Sequence, residues 1–297
     1  MNKLLKLYAL LTSFGMLLVL LMGAIVTTTG SGEGCGNSWP LCYGEVLPTQ
    51  PKLETIIEYS HRVVSATLGI MVIILAIWSW IKINHIRDTK WLAILSVFFI
   101  IFQGLLGAAA VVWGQSSFVL ALHFGFSLIS FASVVLLTVV IFENDKGRAT
   151  LNVDKGIRWN AYLLFIYLYG LVYSGALVRH TEASLACSGW PLCNGSFLPP
   201  TNDLEIIHYV HRVLAGLLFL WIILSFLQTR KYYQEHVILY RIYLLLLILV
   251  SLQVTTGALI IFTSLNLFIG LAHGLFVSIL FATLSYLIMV LLRKNRD

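Results

Sequence analysis

The sequence predicts an all-α membrane protein: eight transmembrane helices forming two parallel four-helix repeats, with both termini cytoplasmic. Three observations predict it. Only 11% of the 297 residues are charged while 59% are apolar, against about 25% charged in a soluble protein. Six strongly apolar stretches contain no Asp, Glu, Lys or Arg: 7–32, 63–81, 91–142, 159–178, 213–229 and 242–292. Rare polar residues of the first half also return in the second half at a constant spacing. The first two observations exclude a soluble enzyme, a disordered chain and a nucleic-acid binder. They make the net charge of +6 a signal of membrane topology.

A helix needs roughly 20 apolar residues to cross a bilayer core. The shorter runs are therefore single spans. The two longest are each two spans joined by a hairpin, broken at Gly114-Gln115-Ser116-Ser117 and at Thr263-Ser264-Leu265-Asn266, where turn-forming residues gather. The expected helices lie near 7–28, 56–82, 91–113, 118–142, 159–179, 204–228, 237–262 and 267–292. Long unbroken apolar runs lack the alternation of barrel strands. The first run follows Lys3 and Lys6, as a signal peptide would. Its apolar stretch is too long for that, and no small-residue cleavage site follows, so it is expected to remain as a span. No transit peptide precedes it, and the expected location is a bacterial plasma membrane.

Eight spans put both termini on one side. Fifteen Lys/Arg fall there, among them Lys146, Arg148, Lys294 and Arg296, against Lys52, Arg62, Arg179 and Arg212 on the other. Cytoplasmic loops carry the excess of basic residues, so the termini are read as cytoplasmic. The two longest loops, about 29–55 and 180–203, then face outward. Neither is long enough for a separate soluble domain, so any chemistry belongs in the membrane or at its outer surface.

The internal repeat is the strongest signal. Ser38-Trp39-Pro40-Leu41-Cys42-Tyr43-Gly44 matches Gly189-Trp190-Pro191-Leu192-Cys193-Asn194-Gly195. Tyr59-Ser60-His61-Arg62-Val63 matches Tyr209-Val210-His211-Arg212-Val213, and Gln103 and His123 match Gln253 and His273. From the second helix of each half onward the offset is 150 residues. Four helices per repeat means that both copies enter the membrane in the same sense, unlike inverted-repeat transporters. The expected domains are 1–150 and 151–297.

His61, His123, His211 and His273 each fall about four to six residues inside the outer end of a helix, roughly a turn and a half deep. An intramembrane His can act as interhelical glue. Two at one depth in each of two repeats point instead to a functional pair, since buried ionisable groups are costly in lipid. Two facing His in a helical bundle are a natural cradle for haem. Zinc fits less well, because no third or fourth ligand recurs. His85 and His236 fall in cytoplasmic loops and read as solvated; His180 and His208 receive no assigned role. Arg62 and Arg212 directly follow their His. They either snorkel to the interface or contact haem propionates. Gln103 and Gln253 read as interhelical hydrogen bonders, and Gly104, Gly107 and Gly257 as sites of close helix packing. Glu58 breaks the repeat: it stands three residues before His61, where the second copy has His208 before His211. That spacing puts it on the same helix face, and a carboxyl beside a metal site can move protons.

All four Cys lie in the outward loops: Cys35 and Cys42, Cys187 and Cys193. Disulfides persist outside the membrane. Of three possible connectivities the repeat makes the two local pairs the obvious one. Each would stiffen a lid over its bundle, and a redox role for one pair is the alternative. Neither spacing is C-x-x-C, so a metal reading is weak.

Together these features resemble the haem A synthase family (the CtaA/Cox15 type), and the match covers nearly the whole chain. It is carried by Glu58-Tyr59-Ser60-His61-Arg62, His123, His211-Arg212, His273 and the two Cys pairs. The resemblance implies an enzyme that oxidises the C8 methyl of haem O to a formyl group, giving haem A for terminal oxidases. It implies a cofactor haem b held by His211 and His273, a substrate haem held by His61 and His123, and Glu58 as the essential carboxylate. Cys35 and Cys42 fall on the pair associated with activity. On this reading the first repeat is catalytic and the second holds the cofactor. The expected chemistry is two successive two-electron oxidations through a hydroxymethyl intermediate, with Glu58 relaying protons. Implied partners are haem O, the lipid bilayer and, as candidates, a haem O synthase and cytochrome oxidase; nucleic acid is not among them. The rival readings are a di-haem b-type membrane cytochrome for electron transfer, disfavoured because all four His share one side, and a haem carrier or transporter.

Overall fold

A computed structural model describes residues 3–114, 116–145, 147 and 149–293. The hairpin residue Gln115 and the topology-setting Lys146, Arg148, Lys294 and Arg296 lie outside the described residues. Among those described, eight helices are long and apolar enough to cross a membrane. They are α1 (Lys3–Thr28), α2 (Leu53–Ile83), α3 (Arg87–Val112), α4 (Ser117–Glu143), α5 (Lys155–His180), α6 (Asp203–Tyr232), α7 (Val237–Phe262) and α8 (Leu267–Leu292). A helix satisfies its own backbone polar groups, which is why this architecture suits lipid.

Several helices run past their apolar stretch. α2 starts at Leu53 and α6 continues through Arg230 and Lys231 to Tyr232. Counting apolar residues stops at the first charge, whereas i→i−4 hydrogen bonding does not. His61 and His211 consequently sit eight residues after the first residue of their helices, Leu53 and Asp203, and His123 and His273 six after Ser117 and Leu267. His61 and His211 therefore lie further into their helices than the sequence suggests, while His123 and His273 lie where it places them. Two short 3-10 turns, Ser31–Glu33 and Ala183–Leu185, follow α1 and α5 and were not legible in the sequence.

The chain divides into two compact units, Met1–Gly147 and Arg148–Asp297. In unit 1, α1 packs on α2, α2 on α3, α3 on α4, and α4 returns to α1. In unit 2, α5 to α8 close in the same cyclic order. Small polar residues tie unit 1 together at Ser13 Oγ and Thr138 Oγ1, 2.8 Å apart. Unit 2 has a fuller polar hub: Asn160 Nδ2 donates to Ser225 Oγ (3.0 Å) and Tyr243 OH (3.1 Å), and Trp221 Nε1 donates to Asn160 Oδ1 (2.7 Å). Every side-chain polar atom of Asn160 is then used, as burial away from water demands. Helix starts in unit 2 also carry side-chain caps, from Asp154 to Ile157 N and from Asn202 to Leu204 N, both 3.0 Å. Ser264 and Leu265 take positive φ in the hairpin before α8.

Candidate functional site

The ends of α2 and α6 that carry the disulfide loops hold most of the residues singled out by the sequence. Cys35 bonds Cys42, and Cys187 bonds Cys193, so both local pairs form. Each loop folds back on its helix. Tyr59 OH donates to Val46 O, and Tyr209 OH donates to Phe197 O at 3.3 Å.

In unit 1 the loop is brought onto α2 by Gly34. A Cβ there would lie 2.4 Å from the Glu54 carbonyl carbon, so only glycine allows the approach. The next residue, Cys35, donates its backbone N–H to Glu58 Oε2 at 2.8 Å. Arg62, one turn along α2, donates from Nε to Glu58 Oε1 at 3.0 Å and from Nη2 to the same oxygen. Its Nη1 donates to the carbonyls of Ser38 (2.7 Å) and Leu41 (2.9 Å). Glu58 is 3% exposed. A carboxylate this buried persists because its charge is paired and its lone pairs are filled. One arginine thus holds the acid and the disulfide loop together. This pairing was missed in the sequence, although an acidic and a basic residue at i and i+4 are its ordinary signal.

Unit 2 repeats the loop contacts without the acid. Arg212 Nη1 donates to the carbonyls of Gly189 and Leu192 (3.1 Å), and Nη2 to that of Cys187 (3.0 Å). His208 stands where Glu58 stands and is 6% exposed. Arg212 Nε and His208 Nδ1 are both buried without a hydrogen-bond partner. Both arginines are loop anchors, and of the two only Arg212 keeps a buried donor in reserve.

The four repeat-related histidines each face a glycine of a neighbouring helix. A Cβ on Gly23 would sit 3.3 Å from His61 Nε2. One on Gly107, Gly175 or Gly257 would sit 3.2, 3.0 or 3.3 Å from Cε1 of His123, His211 or His273. These distances are tighter than ordinary contact, so the glycines make the space the rings occupy. The expectation of close packing is met at Gly107 and Gly257. It fails at Gly104, where a Cβ meets nothing within 4 Å. Gly23 and Gly175 were not singled out, because α1 and α5 correspond at an offset of 152, not 150 (Gly23 with Gly175, Cys35 with Cys187).

The rings differ in how their nitrogens are held. His211 Nδ1 lies 2.8 Å from Ser174 Oγ, whose own hydrogen goes to Leu171 O. His273 Nδ1 lies 3.2 Å from Thr256 Oγ1, whose hydrogen goes to Leu252 O. A hydroxyl already donating must accept from the ring, so both imidazoles carry their proton on Nδ1 and their lone pair on Nε2. Gln253 Nε2 donates to that lone pair on His273 at 2.9 Å, as expected of an interhelical hydrogen bonder. The Gln253 Oε1 oxygen is buried without a partner, so one contact alone holds this amide. In unit 1, His61 and His123 lie within electrostatic range of each other, and His61 meets the Val19 backbone. His123 Nδ1 is buried without a partner. An Nε2 lone pair with a supported Nδ1–H is the donor form that haem iron takes, so the unit 2 pair could hold a haem iron, with the Gln253 amide that now meets His273 Nε2 turning away. Of the other histidines, His85 Nε2 pairs with Asn144 Oδ1 at 3.2 Å, His236 precedes α7, and His180 ends α5.

The family described as "Cytochrome oxidase assembly protein" (COX15-CtaA) matches residues 6–285. The chain is 52% identical over 298 aligned positions to "Heme A synthase" of Geobacillus kaustophilus, covering 100% of this chain and 94% of the relative. It is 52% identical over 296 positions to "Heme A synthase" of Halalkalibacterium halodurans, covering 99% of each chain. The protein of that name from Alkalihalophilus pseudofirmus is 49% identical, over 99% of this chain and all of the relative. With the family matched across nearly its whole length and half its residues shared with these relatives, the chain belongs to the COX15-CtaA family.

Proposed function

We propose that the chain is a haem A synthase, oxidising the C8 methyl of haem O to a formyl group through a hydroxymethyl intermediate. Family membership and the name shared by full-length relatives support the activity. The observation that carries the assignment of parts is the buried, arginine-clamped Glu58, which unit 2 replaces with His208. His61 and His123 hold the substrate haem in unit 1. Both two-electron oxidations of the methyl carbon release protons. Glu58, one turn from His61, takes them. Arg62 positions Glu58 and sets its counter-charge.

In unit 2, His211 and His273 hold the cofactor, a haem b, which when bound supplies one-electron redox chemistry. Of the two arginines, Arg212 is the better placed for a propionate contact, through its buried unpaired Nε, because Nε and Nη1 of Arg62 are engaged by Glu58 and the loop. The fifteen-to-four distribution of basic residues supports cytoplasmic termini in a bacterial plasma membrane. The disulfide loops then lie on the outer side, where such bonds persist. Haem O synthase on the supply side and cytochrome oxidase on the receiving side are the matching partners.

The test is to express the chain in cells supplied with haem O and extract haem from their membranes. New haem A supports the synthase. Haem B alone supports an electron-transfer cytochrome, and bound but unchanged haem O supports a carrier; either result sinks the proposal.

A further inference from the structure

The geometry points to Ser174 and Thr256 as positioning residues that make the haem of unit 2 a resident, and to their apolar counterparts Met22 and Leu106 as what lets unit 1 release its own. The inference rests on the reading that His211 and His273 hold a cofactor haem while His61 and His123 hold a substrate.

Each hydroxyl sits behind a ligand histidine. Ser174 Oγ is 2.8 Å from His211 Nδ1 and donates to Leu171 O at 2.8 Å. Thr256 Oγ1 is 3.2 Å from His273 Nδ1 and donates to Leu252 O at 2.8 Å. Both chains of hydrogen bonds therefore run from ring to hydroxyl to backbone. They determine the tautomer, hold the ring plane, and push electron density towards Nε2, making it a stronger donor to iron. The glycine opposite each ring, Gly175 or Gly257, closes the remaining freedom.

Unit 1 keeps the glycines, Gly23 and Gly107, and loses the hydroxyls. Met22 stands at the place of Ser174 by the α1–α5 offset of 152, and Leu106 at that of Thr256 by the offset of 150. Neither Met22 nor Leu106 carries a hydroxyl to accept from a ring N–H. His123 Nδ1 is buried without a partner, and the rings of His61 and His123 are met by the Val19 and Gln103 backbones. Ligands held by single backbone contacts, with no hydroxyl behind them, suit a haem that must enter as substrate and leave as product. The two differences occur on separate helices and act on separate rings, yet have the same sense.

The experiment uses the purified full chain in detergent, loaded with haem, and follows transfer of ferric haem B to excess apomyoglobin together with the haem reduction potential. Replacing both hydroxyls (Ser174→Ala with Thr256→Val) should speed loss of haem B about 10-fold or more, the usual scale for removing an outer-shell partner. It should also move the potential positive, because a weaker donor favours ferrous iron. The hydroxyl-retaining pair Ser174→Thr with Thr256→Ser should restore both values. Thr255→Val should change neither, since Thr255 bonds only to Ser251 O and is exposed. In the converse graft, Met22→Ser with Leu106→Thr should slow the release of haem from unit 1. Wild-type release and potential in the hydroxyl-free pair would overturn the inference, as would a graft without effect on unit 1. If His211→Ala retains its full haem B, the reading of unit 2 as the cofactor site fails instead, and the inference with it.

Discussion

Arg62 and Arg212 begin from the same place in the repeat and reach the same loop carbonyls, those of Ser38 and Leu41 in one unit and of Gly189 and Leu192 in the other. What differs is the residue four positions earlier. With Glu58 there, the arginine becomes half of a buried ion pair joined to the Cys35 N–H. With His208 there, two buried nitrogens are left without partners. The four histidine rings show the opposite bias, met by hydroxyls in unit 2 and by backbone groups in unit 1. Duplicated scaffolds can thus diverge by a few polar exchanges: one copy keeps the buried acid and has no hydroxyl behind its histidines, the other drops the acid and gains the hydroxyls.

The largest expected effect comes from Glu58→Gln. The amide keeps an acceptor oxygen for Cys35 N–H but cannot cycle a proton. Haem B content should stay at the wild-type level and haem O should accumulate, while haem A falls below detection in extracted haem. Normal haem A yield would remove Glu58 from the chemistry and with it the main contrast between the units.

Next comes a pair of arginine truncations read by thermal unfolding in detergent. Arg62→Ala leaves a buried carboxylate without its counter-charge and should cost about 3–5 kcal/mol. Arg212→Ala strands only carbonyls and should cost about 1–3 kcal/mol. Equal losses would mean that both arginines act only as loop anchors.

Smaller effects are expected at the glycines. Gly107→Ala drives a methyl into the His123 ring and should cost about 1–3 kcal/mol, as overpacking does. Gly104→Ala, one turn earlier on α3 with open space around it, should gain up to about 1 kcal/mol of helix propensity. If the two behave alike, the ring seats do not constrain the histidines.

The smallest is at the Lys6–Asp145 pair of unit 1, 2.7 Å apart. The hydrogen bond from Lys6 holds the Asp145 carboxyl below the usual carboxylate range. Its contribution is present above the unfolded carboxylate value and is lost as pH falls through the lower folded one. Lys6→Met should therefore leave unfolding at neutral pH almost unchanged, as for other exposed pairs, and alter only the acid limb of the stability profile.

The spans, the repeat, the four histidines and the Glu58/His208 exchange were legible in the sequence because each is a matter of residue type at a spacing. The Glu58–Arg62 pair was equally legible and was overlooked, since attention to the His-Arg dipeptide hid the i,i+4 relation. Ser174, Gly23 and Gly175 were hidden because the second copy is two residues shorter between Cys187 and His211 than the first is between Cys35 and His61, which breaks a register counted at 150. Thr256 lay in register opposite Leu106, but a threonine in a membrane helix usually bonds its own backbone, and nothing in the sequence says that a ring also reaches it. The orphaned nitrogens of His208 and Arg212 depend on side-chain orientation and could be seen only in three dimensions.

The central claim is that unit 1 holds a substrate and unit 2 a resident cofactor. It is tested most directly by identifying the haem that stays bound to purified His61→Ala/His123→Ala and His211→Ala/His273→Ala chains after supply with haem O. The account predicts haem B without haem O or haem A in the first, and haem O without haem B in the second. Loss of the same haem species from both would contradict it.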